Sequence, residues 1–471
     1  MEIIHLSAEC YPVAKAGGLG DVVGALPKYQ CKAGHIAKVV MPMYHKSFVW
    51  QHELVNEYES DFEMGSIRFH FRIMKEKFNA LGFDLYLVDI PGLFDREGIY
   101  SYDDDDRRFL GFQIAFLEWV RQWQHRPDIV HCHDHHTALV PFLMQYAYRY
   151  QHLATIKTVL TVHNGLYQGW MSWESAALLP EYDQWKSGLV EFCNAVNPLA
   201  SAIRCAHAVT TVSLSYLEEL MDHAAGLEIL FRSFHYKCYG ILNGIDTEVW
   251  NPETDKYLSF HYNGKNVDEM KLKSKTEICR LFELDSNKPL FVFIGRAVAE
   301  KGADLLPTAI SKALSNTKGA CSFLVLGSGD KEVEAQLGSL KTYLEGLYNC
   351  YIGYSEELSH KMYAAADFLL MPSRVEPCGL NQMYALRYGT IPIVRSVGGL
   401  KDTIVDFGEN GGFGLRFLHS SAEDIASACC RAAELYYDYR ESFQLIRQRM
   451  MAIDHSWEKS CSQYIELYQS L

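Results

Sequence analysis

Short apolar runs rich in Val, Ile and Leu recur along the chain. Each is closed by turn or cap residues, and helical spacing of apolar positions fills the intervals. This is the pattern of parallel strands joined by helices, and it occurs twice. In the first half, residues 3–6, 37–41, 85–89, 129–132, 157–162, 208–212 and 238–242 are predicted strands. In the second, 290–294, 322–326, 350–353, 368–371 and 391–395 repeat the theme, with helices expected over 302–314 and 355–366. The expected fold is α/β, with two Rossmann-like doubly wound parallel-sheet domains. The first spans 1–243, the second 244–453, and residues 454–471 form a terminal helix. The polar segment 254–266 has little periodicity and reads as an excursion early in the second domain. The terminal helix carries Trp457, Tyr464, Ile465, Leu467 and Tyr468 as an apolar face that needs an existing domain to cover it, and it is expected to cross back to the first.

A chain of 471 residues exceeds one ordinary core at about 100–200 residues per domain, which agrees with that division. A 48% hydrophobic and 22% charged composition is that of a folded, water-soluble chain. The net charge of −14 excludes a general affinity for nucleic acid or anionic membrane, so an anionic ligand needs a local cluster of cations. Thirteen cysteines form no CxxC pair or regular framework and read as reduced thiols. Glu2 and the brief apolar run before Glu9 do not make a signal peptide, and no apolar stretch reaches about 18 residues, so a cytoplasmic protein is expected.

Several segments carry candidate chemistry. KAGGLGDVVGALPK, residues 15–28, follows the first strand and enters a helix, so Gly17, Gly18 and Gly20 allow close backbone approach while Lys15 adds a cation. It is neither GxGxxG nor a P-loop. Arg296 and Lys301 lie just beyond a strand, where a diphosphate would suit them, or they are simply solvated charges. Glu376 lies in a loop after a strand, with Gly379 and Leu380 opening the next helix; the bland alternative is an ordinary first-turn acid. HCHDHH, residues 131–136, suggests a metal at first sight, yet no partner motif such as HExxH accompanies it, so satisfied histidines at a strand end fit better and Asp134 is left to meet hydroxyl groups. His163 and Asn164 also follow a strand. Asp103–Asp106, read as residues 103–106, is expected to be a solvated turn ahead of a helix, and Cys429 and Cys430 to be core.

Together these blocks resemble the bacterial and plant glycogen and starch synthases, glycosyltransferase family five, which have the GT-B fold with two domains facing a central cleft. KAGGLGDVVGALPK is similar to that family's KxGGLxDV signature. HxHDxH, TVHNxxYQG, LNGID at 242–246, GRxxxEKG, GSGD at 327–330, IGY at 352–354, PSRxEPCGLxQ and YGTxPxVRxxGGLxDT follow in order over nearly the whole chain. The resemblance implies retaining transfer of glucose from ADP-glucose to the non-reducing end of glycogen or a linear α-1,4-glucan, with no metal and no cofactor. It implies Glu376, Arg296, Lys301 and His163 as catalytic. Lys15, Gly18, Asp21, Asp134, Asn164, Asn243, Tyr354, Ser373, Cys378, Gly379 and Leu380 would bind the donor. Glu9, His135 and His136 would lie on the acceptor side. The family has Trp where this chain has His135, which bears on acceptor preference. The alternatives are UDP-glucose or another acceptor with the same chemistry, a sucrose- or trehalose-type synthase, and a glucan-binding pseudoenzyme. The absent GxGxxG argues against a nicotinamide dehydrogenase.

Overall fold

The computed structural model describes residues 1–471, which divide into two compact units. One comprises Met1–Leu242 with Trp457–Leu471, the other Asn243–Ser456.

Eleven strands belong to the first unit. They are β1 (Glu2–Leu6), β2 (Ile36–Pro42), β3 (Leu54–Met64), β4 (Ile67–Glu76), β5 (Asp84–Asp89), β6 (Ile129–His133), β7 (Lys157–Val162), β8 (Glu191–Phe192), β9 (Ala195–Val196), β10 (Ala208–Thr211) and β11 (Cys238–Gly240). Nine form one sheet in the order β11-β10-β7-β6-β1-β2-β5-β4-β3, and β8 with β9 makes a small hairpin. The seven predicted strands are its parallel part, and apart from the edge strand β11 they are largely buried, as continuous apolar runs require. Sequence reading missed β3 and β4, an antiparallel extension beyond β5. Only Phe62 and Met64 of β3 are buried, so it lacks the apolar run that marks its neighbours. The terminal helix Trp457–Gln469 buries Trp457, Tyr464, Leu467 and Tyr468 against Ile3, Val22 and Tyr29 of the same unit.

The second unit holds β12 (Leu290–Ile294), β13 (Ser322–Gly327), β14 (Tyr348–Ile352), β15 (Phe368–Met371), β16 (Ile391–Arg395) and β17 (Leu415–Phe417), all parallel, in the order β14-β13-β12-β15-β16-β17. The three-residue β17 was too short to stand out in the sequence. Asp367, just before β15, accepts from Lys275 (2.8 Å), Arg447 (2.9 Å) and the Leu290 amide (2.9 Å), which ties the amino ends of β12 and β15 together. Burial pushes its carboxyl up, but Lys275 and Arg447 outweigh that and hold it below its ordinary value. The polar segment 254–266 is docked rather than loose: Asp255 is buried and accepts from His360 Nδ1 (2.7 Å) and from the Tyr388 hydroxyl.

Two helix predictions meet different outcomes. Ser355 caps the helix Glu356–Ala365 by accepting from the Leu358 amide, close to the expected span. The helix expected from residue 302 begins instead at Leu306, because Gly302 turns left-handed (φ 69°) between two short 3₁₀ turns and Pro307 suits only a first turn. A Cβ on Gly302 would lie 2.2 Å from the Pro372 carbonyl oxygen, so the loops after β12 and β15 pack backbone to backbone there. Gly302→Ala is expected to destabilise the protein by more than about 2 kcal/mol, combining the strained φ with a forced backbone shift. Thermal and urea unfolding measure it.

Candidate active site

In a parallel sheet the loops beyond the carboxyl ends of the strands share one edge, and a crevice opens where the strand order reverses. In the first unit that point is between β1 and β6, and in the second between β12 and β15. Most of the sequence-predicted residues follow these four strands.

After β1, Glu9 is buried and fully engaged. Its Oε2 accepts from the amides of Ala16 (2.5 Å) and Gly17 (2.9 Å), and its Oε1 from the Tyr100 hydroxyl (2.6 Å). It therefore shapes the turn that leads into the helix Gly18–Lys32. Lys15, at the same turn, pairs with Asp21 (2.7 Å) and lies over the Tyr11 ring. Space is open where side chains on Gly17 or Gly18 would project, whereas Gly20 packs on Lys15 and Glu9.

After β6, Asp134 has a positive φ (57°) and accepts from the His163 amide (2.7 Å). Burial raises its carboxyl to about 7 against the opposing amides of His163 and Asn164. The His135 and His136 rings lie against each other at a tilt (3.7 Å), and His136 stacks on Tyr100 (4.7 Å). Neither Nδ1 has a hydrogen-bond partner. His131 and His133 are buried and hydrogen-bonded, and His5 on β1, register partner of His131, joins them. One nitrogen from each of these three lies within 4.8 Å of the others. All six of their ring nitrogens bond to protein atoms, so the set serves as a hydrogen-bond network rather than an open ligand cage. The acidic run 103–106 is likewise less solvated than expected: Asp104 pairs with Arg96, Asp105 with buried Arg108, and Asp106 accepts from Ser175. After β7, Asn164 turns its Oδ1 onto the Leu166 amide (3.1 Å).

In the second unit, Lys301 Nζ lies 2.6 Å from Glu376 Oε1, and Ser373 donates to Glu376 Oε2 (2.7 Å). Glu376 is 7% exposed. Its backbone is fixed too, since a Cβ on Gly398 would meet the Glu376 carbonyl oxygen at 2.1 Å and the Gly399 amide donates to that oxygen. Arg374 holds the loop after β15 to Asp304, and Asn381 reaches back to the Ile294 carbonyl. Arg296 is mostly exposed and pairs loosely with Glu300 (3.7 Å). Cys378 is buried, its thiol pushed up to about 12 by that burial, and meets backbone of Asn243, whose Oδ1 has no partner. Gly379 (φ 73°) precedes Leu380, which opens the helix Asn381–Arg387. Tyr354 is 84% exposed beyond β14. Tyr384 stacks on Trp250 (3.7 Å), so it fills a packing position. Asp330 of GSGD caps the helix Lys331–Tyr343.

Lys301, Ser373 and Glu376 are thus brought together, as are Lys15 and Asp21, and Asp134 and His163. Sequence reasoning missed Tyr100, Asp304 and His5. Only His5 left a trace, as a polar residue inside the apolar run EIIHL.

Comparison with known proteins agrees with this frame. Residues 2–233 match the starch synthase catalytic domain family, and 274–436 match glycosyl transferases group 1. A glycogen synthase of Flavobacterium johnsoniae is 52% identical over 468 residues, 99% of this chain and 98% of that one. One from Finegoldia magna is 37% identical across both full lengths. Among solved structures, the catalytic domain of starch synthase IV from Arabidopsis thaliana, bound to ADP and acarbose, superposes with TM-score 0.88 at 31% identity, over 99% of this chain and 98% of that one. A sucrose-phosphate synthase from Thermosynechococcus elongatus, at TM-score 0.64 and 17% identity over 100% of this chain and 98% of that one, shares the fold. The chain belongs to the glycogen and starch synthase family of glycosyltransferases and has its GT-B fold. No helix is long and apolar enough to cross a membrane.

Buried His136 is held well below its ordinary value, chiefly by desolvation. Its neutral form therefore stabilises the fold fully above pH about 6.5, and that stability is lost as pH falls below it, because the unfolded chain then binds the extra proton. His136→Phe is expected to flatten the stability–pH slope by about 1.4 kcal/mol per pH unit between about pH 5 and 6. Denaturant unfolding across that range measures it.

Proposed function

We propose that this chain is a glycogen synthase that transfers glucose from ADP-glucose to the non-reducing end of an α-1,4-glucan with retention of configuration. The observation that carries the reading is Glu376, a buried carboxylate clasped by Lys301 and Ser373 at the strand-order reversal. A carboxylate so fixed suits the positive charge that develops at the anomeric carbon, and Lys301 with Arg296 suits the negative charge that develops on the departing diphosphate. Backbone amides at Gly379 and Leu380 and the side chain of Asn243 would bind the phosphates, and Tyr354 would stack on the base. In the first unit, Lys15 and Asp21 are the residues we assign to donor binding, with Asp134, His163 and Asn164 assigned to glucose hydroxyls. The bond from the anomeric carbon to phosphate oxygen breaks as the acceptor's O4 attacks from the same face. The acceptor O4 is itself the nucleophile and its proton passes to the leaving phosphate, so transfer needs no protein base. Support for ADP comes from the Arabidopsis relative, whose structure holds that nucleotide.

With glycogen as acceptor, ADP-glucose is expected to give a kcat/KM at least about tenfold above UDP-glucose, a difference of about 1.4 kcal/mol. Lys301→Ala should lower kcat about 100-fold and Arg296→Ala about tenfold, with unchanged circular dichroism. Equal use of both donors removes the donor assignment, and turnover within about twofold of wild type removes the cation roles.

A further inference from the structure

Four buried histidines of the first unit, His5, His131, His133 and His163, belong to one row of hydrogen bonds. It starts at the Leu160 carbonyl, where Thr210 Oγ1 lies at 3.4 Å, and passes to Thr161 Oγ1 (2.5 Å), His131 Nε2 (2.5 Å) and, from His131 Nδ1, the Tyr468 hydroxyl (2.7 Å). Tyr468 meets Gln30 Nε2 (3.4 Å), and Gln30 Oε1 meets His5 Nε2 (2.8 Å). From His5 Nδ1 the row runs to His133 Nε2 (3.0 Å), and from His133 Nδ1 to His163 Nε2 (3.0 Å).

A carbonyl only accepts, so the sense of the whole row follows from its first member. Thr210 must donate to Leu160, hence Thr161 donates to Thr210 and His131 donates through Nε2–H. Neutral His131 then has a bare Nδ1 that accepts from Tyr468, whose oxygen accepts from the Gln30 amide N–H. This puts the amide oxygen toward His5 and the amide nitrogen toward Tyr468, which is the orientation observed. His5 donates to it through Nε2–H and accepts from His133, which accepts in turn from His163. Each step uses one proton, provided every ring is neutral. Burial ensures that: it lowers His5 to about 4 and His163 to about 3, and holds His131 and His133 well below their ordinary value.

We propose that Gln30 is a positioning residue that, through His5 and His133, keeps the proton of His163 on Nε2 and its Nδ1 bare as a hydrogen-bond acceptor for a sugar hydroxyl. Tyr468 extends the control to the terminal helix. The effect on turnover rests on the reading of His163 as a donor-contacting residue, whereas control of its proton does not.

Long-range proton–nitrogen NMR of ¹⁵N-histidine-labelled protein reads the tautomer directly, with the His163 signals identified by their loss in His163→Gln. The expected wild-type result is one tautomer, protonated at Nε2. A proton on Nδ1, or averaging between the two, overturns the proposal. Gln30→Met removes the acceptor for His5, so the His163 signals should show both tautomers and kcat should fall about tenfold. Gln30→Glu keeps an acceptor toward His5 and should restore the single tautomer and most of kcat. Tyr468→Phe, which leaves Gln30 in place but cuts it from Leu160, should also mix the tautomers. A single Nε2–H tautomer in both Gln30→Met and Tyr468→Phe overturns the proposal. A tautomer change without a change in kcat upholds control by Gln30 and removes His163 from the transfer reaction.

Discussion

Reversal of strand order beside the first strand of each sheet is the constraint on which the site depends. β1 lies between β6 and β2, and β12 between β15 and β13, so successive crossovers must leave each of these strands in opposite directions. Loops on the two sides then part at the carboxyl edge, and the space between them is lined by backbone and by side chains at strand ends. Glu9 and Lys15 follow β1, Asp134 follows β6, Lys301 follows β12, and Ser373 and Glu376 follow β15. Residues more than 70 positions apart, such as Lys301 and Glu376, become partners only through this topology. Buried Asp367 holds β12 and β15 at their other end, so the spacing of the two loops is supported from below.

The electrostatics follow from the same arrangement. A chain with net charge −14 can hold a diphosphate only through local cations, and each cation assigned to the donor already has a carboxylate beside it: Lys15 with Asp21, Arg296 with Glu300, Lys301 with Glu376. Exposed pairs of this kind contribute only about 0–1 kcal/mol, so exchanging one for a phosphate costs little. Lys301 and Glu376 are more deeply enclosed, and a ligand that presents negative charge to the lysine and developing positive charge to the carboxylate would satisfy both at once.

Much of the architecture was legible because parallel strands buried on both faces are continuous apolar runs. β3 and β17 lacked that mark, one having only two buried residues and the other being three residues long. Motif blocks pointed to Lys15, Asp134, Lys301 and Glu376, all of which lie in loops beyond strand ends. What a linear pattern could not convey was partnership. Glu9 has Tyr100 and two turn amides as partners, and His5 joins His131 and His133 only when β1 pairs with β6. Of the histidine-rich segment read as satisfied, His131 and His133 are satisfied, by residues as distant as Tyr468, whereas the Nδ1 atoms of His135 and His136 have no partner.

Stereochemistry gives the most direct test of the account, because Glu376 is assigned to stabilise charge and the leaving phosphate to take the acceptor proton. Purified protein, ADP-glucose and a short linear glucan can be followed by proton NMR through the anomeric signal of each newly transferred residue, before any secondary equilibration. An α-linked product from the α-linked donor is the predicted result. A β-linked product, which requires attack from the opposite face and a general base on the protein, would contradict it.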